Sequence, residues 1–586
     1  MNGKFNLSEW ALKHQSFVWY LMFMATVAGI FSYINLGRAE DPSFAIKTMV
    51  IQAKWPGATV DETRLQITDR IEKKLEELDS LDYVQSYTRP GESTVFVFLK
   101  DTTKADAIPH IWYEVRKKIG DIRGDFPQGI QGPGFDDEFG DVYGTIFAFT
   151  GDGFTMRQLR DYVEKVRTGI RDVPNRGKIM TIGEQDETFY LDFSTRKLAA
   201  LGLDQQQVLE SLQAQNAVTP AGVIEAGPER MSVRTSGQFH SVADLEAVNL
   251  RVNDRFYRLA DVADISRGYV YPATPMFHYN GKPAIGLAIA MVDGGNIQEF
   301  GQQLQQRIND LTAELPVGVD VHMVSDQAQV VEVAVSGFTS ALFEAVIIVL
   351  AVSFISLGLR AGLVVAISIP LVLALVFVFM EFTGIAMQRV SLGALIIALG
   401  LLVDDAMITV EMMITRLELG ETKEQAATFA YHSTAFPMLT GTLVTVAGFV
   451  PIGLNNSSAG EYTFTLFAVI AVAMLVSWVV AVLFAPVLGV HILSAKVKPK
   501  PEKPGRLAHA FDTGLLWCMR NRWWTIGATV LMFVLSIVGM TFVQNQFFPA
   551  SDRPEILVDL NLPQNASIEE TLKVTQRFEE TLKGDP

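Results

Sequence analysis

The chain has 586 residues, more than one domain needs, and a formal charge of −16 at pH 7. This acidic balance argues against nucleic acid as a partner. The single cysteine, Cys518, excludes an internal disulfide and a thiolate metal cage. Hydrophobic residues make up 49% of the chain because long charge-free stretches alternate with charged ones, a segregation that indicates several membrane spans.

The N-terminal part predicts a short cytoplasmic segment, residues 1–16, and a first transmembrane span, residues 17–36. This span is too long for a signal peptide and lacks an Ala-x-Ala cleavage motif. Trp19 and Tyr20 stand near its start, as interfacial anchors do. We therefore expect the span to remain in the protein.

Residues 37–135 predict a split βαβ unit, in the order β-α-β-β-α. A capping box, Thr59-x-x-Glu62, marks the start of its first helix. Apolar residues at helical spacing continue that helix to about Leu78. The other predicted elements are strands at Ile46–Trp55, Tyr83–Thr88 and Thr94–Leu99 and a helix at Lys104–Ile122.

A second unit of the same kind is predicted in two pieces, residues 136–185 and 271–328. Residues 186–270 lie between the pieces and are expected to form an inserted subdomain. The predicted strands are Thr145–Thr150, Lys178–Gly183, Ala284–Val292 and Val319–Val324, and the predicted helices are Met156–Val173 and Ile297–Leu315.

Five further spans are predicted within residues 333–493, each with roughly 20 or more mostly apolar residues. They are Val333–Leu357, Ala361–Met380, Val390–Ile414, Tyr431–Leu454 and Phe464–Leu493. Basic residues of short loops favour the cytoplasmic side of the membrane. If the spans cross the membrane alternately inwards and outwards, all the basic residues of the short loops lie in the cytoplasm. The segment 37–332 and the tail after residue 545 then lie outside the cytoplasm.

The candidate site is a pair of adjacent acids, Asp404 and Asp405, near the middle of the fourth span. Each ionised carboxylate at that depth costs at least about 2.5 kcal/mol of insertion free energy. The pair must therefore face the bundle interior, be protonated part of the time, or have a basic partner. These conditions suit a proton relay in which the two acids titrate as a coupled pair.

Two other interpretations of this pair remain. In a purely structural role, the carboxylates bond hydroxyls of a neighbouring span such as Thr440, Thr442 or Thr445. An intramembrane aspartyl protease needs two acids opposed across a cleft on different helices. Neighbours on one helix are about 100° apart instead, and no other predicted span carries a mid-membrane Asp.

The C-terminal part predicts a cytoplasmic linker with an amphipathic helix, residues 494–522, and a seventh span, residues 523–543. Residues 553–586 repeat the start of the outer segment, because the capping box Ser567-x-x-Glu570 follows a strand 508 residues after its counterpart. Repeated halves are common among transporters. We expect the natural protein to be longer than this chain, which ends inside the second copy.

Several of these motifs together resemble the resistance–nodulation–division (RND) permeases, specifically the acriflavine-resistance type that exports hydrophobic and amphiphilic compounds. The motifs are Asp41-Pro42, Trp55-Pro56-Gly57-Ala58, the run Gly400-Leu401-Leu402-Val403-Asp404-Asp405-Ala406, Phe449-Val450-Pro451 and Ala485-Pro486. The resemblance covers the whole chain as the N-terminal half and the start of the C-terminal half.

The resemblance implies a secondary active transporter of the bacterial inner membrane, not an enzyme, driven by the proton-motive force without a cofactor or metal. It implies a homotrimer with a periplasmic membrane-fusion adaptor and an outer-membrane channel as partners. Asp404 and Asp405 correspond to the proton relay, whose basic partner lies in a later span. Residues 37–135 and the two-piece unit correspond to porter subdomains, and 186–270 to the docking subdomain.

The predicted fold is thus a polytopic α-helical membrane protein with large α+β periplasmic porter subdomains made of split βαβ units, and an internal repeat whose second copy is truncated. The predicted function is proton-driven antiport that exports hydrophobic or amphiphilic small molecules such as drugs. Alternatives are export of heavy-metal cations or lipids by the same kind of permease, and a non-transporting assembly or protein-export module. The acid pair argues against the metal exporters, which typically carry one acid in this motif.

Overall fold

The computed structural model describes residues 6–202, 204–216, 218–227, 229–252, 255–292, 294–494, 506–543, 555–563 and 566–582. The chain divides into two compact units. The first unit comprises Met1–Val142, Val292–Phe300 and Gln327–Leu557, and the second comprises Tyr143–Met291, Gly301–Asp326 and Val558–Pro586.

The first unit begins with two helices and a four-stranded antiparallel sheet. The helices are α1 (Leu7–Lys13) and α2 (Gln15–Asn35), and the elements that follow are β1 (Thr48–Lys54), α3 (Val60–Thr63), α4 (Asp69–Leu75), β2 (Leu81–Arg89), β3 (Glu92–Leu99), α5 (Ile108–Asp121) and β4 (Gln131–Asp136). The strand order is β2-β3-β1-β4. A π-helical turn joins α3 to α4.

This sheet carries a hydrophobic core on one face. Ile51 and Val97 of the two central strands are fully buried, and Ile71 of α4 and Val115 of α5 belong to the same buried cluster. Buried and less buried residues alternate along β3, as expected for a strand with one face on a core. The predicted β-α-β-β-α order is confirmed, and the predicted capping box between Thr59 and Glu62 is formed.

The sequence analysis missed β4, which forms the edge of the sheet next to β1. Its Gly132-Pro133-Gly134 sequence has the composition of a turn. Proline lacks the N–H that a central strand needs, but an edge strand tolerates it. Composition therefore hid a strand that only the pairing with β1 reveals.

The second unit contains a five-stranded sheet and a separate group of short strands. In chain order its first elements are β5 (Thr145–Gly151), α6 (Met156–Gly169), β6 (Arg176–Ile182), β7 (Glu187–Phe193), α7 (Thr195–Leu201), α8 (Gln205–Gln215), β8 (Val218–Ala226), β9 (Glu229–Ser236), α9 (Val242–Glu246), β10 (Asn249–Val252), β11 (Arg255–Arg258), α10 (Leu259–Val262) and β12 (Ala263–Tyr269). The next are β13 (Phe277–Tyr279), β14 (Lys282–Met291), α11 (Ile297–Thr312), which begins in the first unit, and β15 (Val319–Asp326).

In the five-stranded sheet the order is β13-β14-β5-β15, and β6 also pairs with β14. The six elements predicted for the two-piece unit are all present, and β13 is an added edge strand. Between the pieces, three antiparallel pairs form: β7 with β12, β8 with β9, and β10 with β11. The pairs β7–β12 and β10–β11 share a buried cluster with α8 and α10, which includes Val208, Leu250 and Leu259. Their interpretation as a docking subdomain stays a prediction.

Seven helices of the described residues are long and apolar enough to cross a membrane. They are α2 and α12 (Gln327–Leu357), α13 (Leu359–Thr383), α14 (Arg389–Glu418), α15 (Lys423–Gly453), α16 (Ser458–Ile492) and α18 (Arg522–Met540). The amphipathic helix α17 (Arg506–Arg520) precedes α18, and α19 (Ile568–Leu582) follows it. Every predicted span coincides with one of these seven helices.

Several of these helices continue beyond the predicted spans because polar caps, and not the ends of the apolar runs, set their limits. Thr422 and Gln425 form a capping box that starts α15 eight residues before the predicted span. Ser457 caps α16 with a single side-chain hydrogen bond, which it accepts from the backbone N–H of Gly460 at 3.0 Å. Hydropathy detects the apolar stretch alone, so it underestimated these helices.

Helix α16 lies at the centre of the helical bundle. It contacts α13, α14 and α15 along their lengths and also α1 and α2. The most apolar stretches of α13, α14 and α16 are each 56% buried, whereas that of α18 has no buried residue. A polar group on α14 that faces α16 is therefore inside protein.

Candidate functional site

Asp404 and Asp405 lie near the middle of α14, about four turns from either end. At its start, the amide oxygen of Gln388 accepts hydrogen bonds from the backbone N–H groups of Val390 and Ser391. The side-chain amide of Gln388 also donates to the hydroxyl of Thr465 on α16 at 2.9 Å. The helix that carries the acids is thus capped and tied to α16 at the same end.

Asp405 faces α16 and is buried, with 6% of its surface exposed. Its Oδ2 accepts a hydrogen bond from the hydroxyl of Ser477 at 3.1 Å. The same hydroxyl lies 3.0 Å from the carbonyl oxygen of Leu402, one turn earlier on α14. A serine hydroxyl has one proton to donate. Ser477 therefore has two alternative acceptors, both on α14.

Asp404 faces away from this contact and is exposed to a cavity of about 380 Å³. Both acids line the cavity, and its opposite wall is α15. The other lining residues are Leu401, Ile408, Ser433, Thr434, Pro437, Met438, Gly441, Thr442, Thr445 and Met474. Proline has no N–H for the carbonyl one turn earlier, so Pro437 leaves the carbonyl of Ser433 without its usual helical donor at the cavity.

The acid pair has no basic partner within the described residues: no Lys, Arg or His nitrogen lies within 4.0 Å of either carboxylate. An ion in this position must be paired, hydrated or neutralised, because the burial of an isolated charge is unfavourable. Asp405 has one side-chain hydrogen bond, and the cavity beside it is partly lined by hydroxyl groups. The arrangement can take up and release a proton.

The hydroxyl that contacts Asp405 is not one of the three threonines named from the sequence. Thr440 and Thr445 donate to carbonyl oxygens of their own helix, at Phe436 and Gly441. Thr442 and Thr445 line the cavity. The sequence signal for the observed partner is weak: Ser477 is a single hydroxyl within the apolar centre of α16.

This site cannot form an aspartyl-protease dyad, which needs two carboxylates that face each other. Asp404 and Asp405 are neighbours on one helix, one buried against α16 and one exposed to the cavity. The cavity lining contains no third carboxylate. Within the described residues, no group of three or more His, Cys, Asp or Glu side chains is placed to hold a metal ion.

The chain is similar to known proteins over most of its length. The model of the AcrB/AcrD/AcrF family matches residues 7–586. The swarming motility protein SwrC of Bacillus subtilis (strain 168) is 22% identical over an alignment of length 595, which covers 93% of this chain and 56% of SwrC. Protein HelA of Legionella pneumophila is 24% identical over an alignment of length 607, which covers 98% of this chain and 56% of HelA. The chain thus spans about half the length of these curated relatives.

Proposed function

The chain belongs to the AcrB/AcrD/AcrF family of RND permeases, which are transporters rather than enzymes, and we propose that it exports hydrophobic or amphiphilic small molecules in exchange for protons. One observation carries the proposal. Asp405 is buried in the middle of a candidate span, beside a cavity partly lined by hydroxyl groups and without a basic partner within the described residues. An ionisable residue at such a depth is functional by default.

Proton uptake at the acid pair changes the contacts between α14 and the helices around it. When Asp405 is ionised, the hydroxyl of Ser477 donates to its carboxylate. When Asp405 is protonated, the attraction of that oxygen for the hydroxyl falls, and the carbonyl of Leu402 is the second acceptor within reach. The cavity beside Asp404 gives the proton and its water a place to enter. The site therefore has two hydrogen-bonded states.

The available energy is sufficient for such a cycle. One charge that moves through 100 mV releases about 2.3 kcal/mol. This amount corresponds to a shift of about 50-fold in the equilibrium between two conformations. One or two protons can thus bias which state of the bundle is populated.

The family and the seven candidate spans support a cellular setting for the proposed activity. The proposed location is the bacterial inner membrane, with residues 37–332 on the periplasmic side. The proposed assembly is a homotrimer that works with a membrane-fusion adaptor and an outer-membrane channel. Because the chain spans about half of its relatives, these properties are proposed for the whole protein.

The experiment that tests the function uses a bacterial host without its own efflux pumps. The complete reading frame is expressed with its adaptor and channel, and susceptibility to a panel of lipophilic drugs is measured. We expect resistance from the wild type and none from Asp405→Asn at equal protein level. Glu411→Gln is the matched control, because Glu411 is an exposed carboxylate on the same helix. It should export like the wild type.

The other outcomes show which part of the proposal is wrong, the proton relay or the substrate class. If Asp405→Asn confers the same resistance as the wild type, the acid pair is not the proton relay. If neither version confers resistance to drugs, the substrate class is wrong. The same strains are then challenged with heavy-metal salts and bile-type detergents, which test export of cations and of lipid-like compounds.

A further inference from the structure

The first turn of α16 is joined to the four-stranded sheet by a buried lysine. Lys47 precedes β1, and only 7% of its side chain is exposed. Its Nζ donates to the carbonyl oxygen of Asp101 at 2.7 Å and to the hydroxyl of Ser458 at 3.2 Å. It also lies 3.3 Å from a carboxylate oxygen of Glu461. One ammonium group thus contacts two residues of α16 and the loop after β3.

The two carboxylates around Lys47 strengthen the same contact from both sides. The Oδ1 of Asp101 accepts from the backbone N–H of Ser458 at 2.9 Å and from its hydroxyl at 2.6 Å. The Oε2 of Glu461 accepts from the backbone N–H of Ala45 at 3.1 Å. Hydrogen bonds from the Ser458 hydroxyl and backbone hold the pKa of Asp101 below its usual value. The carboxylate of Asp101 also lies at the N-terminus of α16, where the helix dipole favours a negative charge.

This cluster, formed by Lys47, Asp101, Ser458 and Glu461, is called here the α16 joint. It is continuous with the sheet, because the backbone N–H of Leu99 on β3 donates to the carbonyl of Lys47. On the other side it is continuous with the acid site, because α16 also carries Ser477. No proline interrupts α16 between Ser458 and Ser477; Pro486 lies beyond.

We infer that the α16 joint is a rigid connection through which movement of the acid-site helices reaches the four-stranded sheet, and that Lys47 is a positioning residue for transport. The buried Lys47 ammonium is costly to separate from its partners, since it would be left as a buried, uncompensated charge. The Asp101 carboxylate is 59% exposed, so water screens its charge and the cost lies mainly on the lysine. The connection therefore stays closed while α16 moves. This inference rests on the proposed proton-driven function.

The first test removes the charge at the centre of the joint. In Lys47→Met the side chain keeps its length but loses its hydrogen bonds and ion pairs. We expect the export rate of the purified complete protein in proteoliposomes to fall about tenfold or more when equal amounts of folded protein are compared. The matched control is Lys73→Met on α4. Lys73 forms an exposed ion pair with Asp69 at 2.7 Å, and its loss should leave export within about twofold of the wild type.

A second test replaces the joint by a covalent link. In a background in which Cys518 and every other cysteine of the complete protein are replaced by serine, Asp101→Cys and Ser458→Cys remove the hydrogen bonds of the joint, and a short, reducible bis-thiol reagent then joins the two positions. We expect slow export before cross-linking and recovery after it, because a rigid joint need not open. Recovery is not expected if these residues only assist folding. Failure of the cross-link to restore export overturns the inference.

A third measurement reads the rigidity directly and does not depend on transport. Spin labels at Gln52→Cys on β1 and Phe464→Cys on α16, both exposed positions, report the distance across the joint. The distance distribution should be narrow and equal at neutral and acidic pH in the wild type, and broad in Lys47→Met. A wild-type distance that changes with pH overturns the inference.

The failures of the two proposals are distinguishable. If Asp405→Asn transports normally, the proton-relay function is wrong, and the spin-label distances still decide whether the joint is rigid. If Asp405→Asn is inactive but Lys47→Met transports like the wild type, the relay stands and the joint is not part of the transmission.

Discussion

Helix α2 approaches α13 closely at Gly29, and this contact gives a specific prediction. A Cβ placed on Gly29 would lie 2.4 Å from the Cβ of Ala374 on α13, 2.5 Å from its Cα and 2.7 Å from its carbonyl oxygen. Two of these three atoms belong to the backbone of α13. Side-chain rotation cannot relieve the contact, so Gly29→Ala must push the two helices apart.

The size of the effect follows from the kind of contact. Small residues at membrane helix interfaces let the backbones approach closely, and an extra methyl group in a packed interface costs about 1–3 kcal/mol. Alanine gains back about 0.5–1 kcal/mol because it restricts the unfolded chain more than glycine does. The net expectation for Gly29→Ala is a loss of up to about 2 kcal/mol, again on the overpacking cost.

The assay is thermal unfolding of the purified protein in detergent, followed by size-exclusion chromatography of a fluorescent fusion. Gly448→Ala on α15 is the matched control, because a Cβ there meets no atom within 4 Å. We expect the midpoint to fall in Gly29→Ala and to stay or rise in Gly448→Ala. Adding Ala374→Gly should restore only part of the loss, since it removes one of the three contacting atoms. Equal midpoints for the two alanine variants would refute the close approach of α2 and α13.

Two further predictions concern the acid site and the α16 joint. Ser477→Ala removes the hydrogen bond to Asp405 and should reduce export about tenfold, since a hydrogen bond to a charged group contributes about 1.5–3 kcal/mol. Ser477→Thr keeps the hydroxyl and should still export. Drug susceptibility measures export in both variants. Asp101 has a folded-state pKa below its unfolded value, chiefly because the Ser458 hydroxyl donates to it. Its stabilisation is therefore present above roughly pH 4 and is lost as pH falls through the lower folded value. The thermal midpoint of the wild type should approach that of Asp101→Asn on acidification, and parallel pH profiles of the two proteins would contradict this.

The sequence identified the candidate spans and the acids because their signals are local. An apolar run of a span's length is visible in one stretch of chain, and two aspartates inside it are conspicuous. The capping box of Thr59 and Glu62 is equally local, since its two residues are three positions apart. These predictions needed no knowledge of how the helices pack.

The remaining features depend on contacts between residues that are far apart in sequence. Ser477 meets Asp405 across 72 positions, and Ser458 meets Asp101 across 357. In the sequence, Lys47 looks like any basic residue that precedes a strand. Only the folded chain shows that it is buried beside two carboxylates. The π-helical turn Arg64–Thr68 was likewise not visible in the sequence, whose apolar spacing predicted one continuous helix. Periodicity places elements, but it does not reveal which polar groups meet.

The length of α16 has a mechanical consequence. The 19 residues from Ser458 to Ser477 give an arm of about 28 Å at 1.5 Å per residue. A tilt of about 10° about Ser477 displaces the far end of that arm by about 5 Å, close to the rise of one helical turn. A small rearrangement around a protonated carboxylate is thereby magnified several-fold at the sheet. The α16 joint would carry a displacement of that size to the four-stranded sheet.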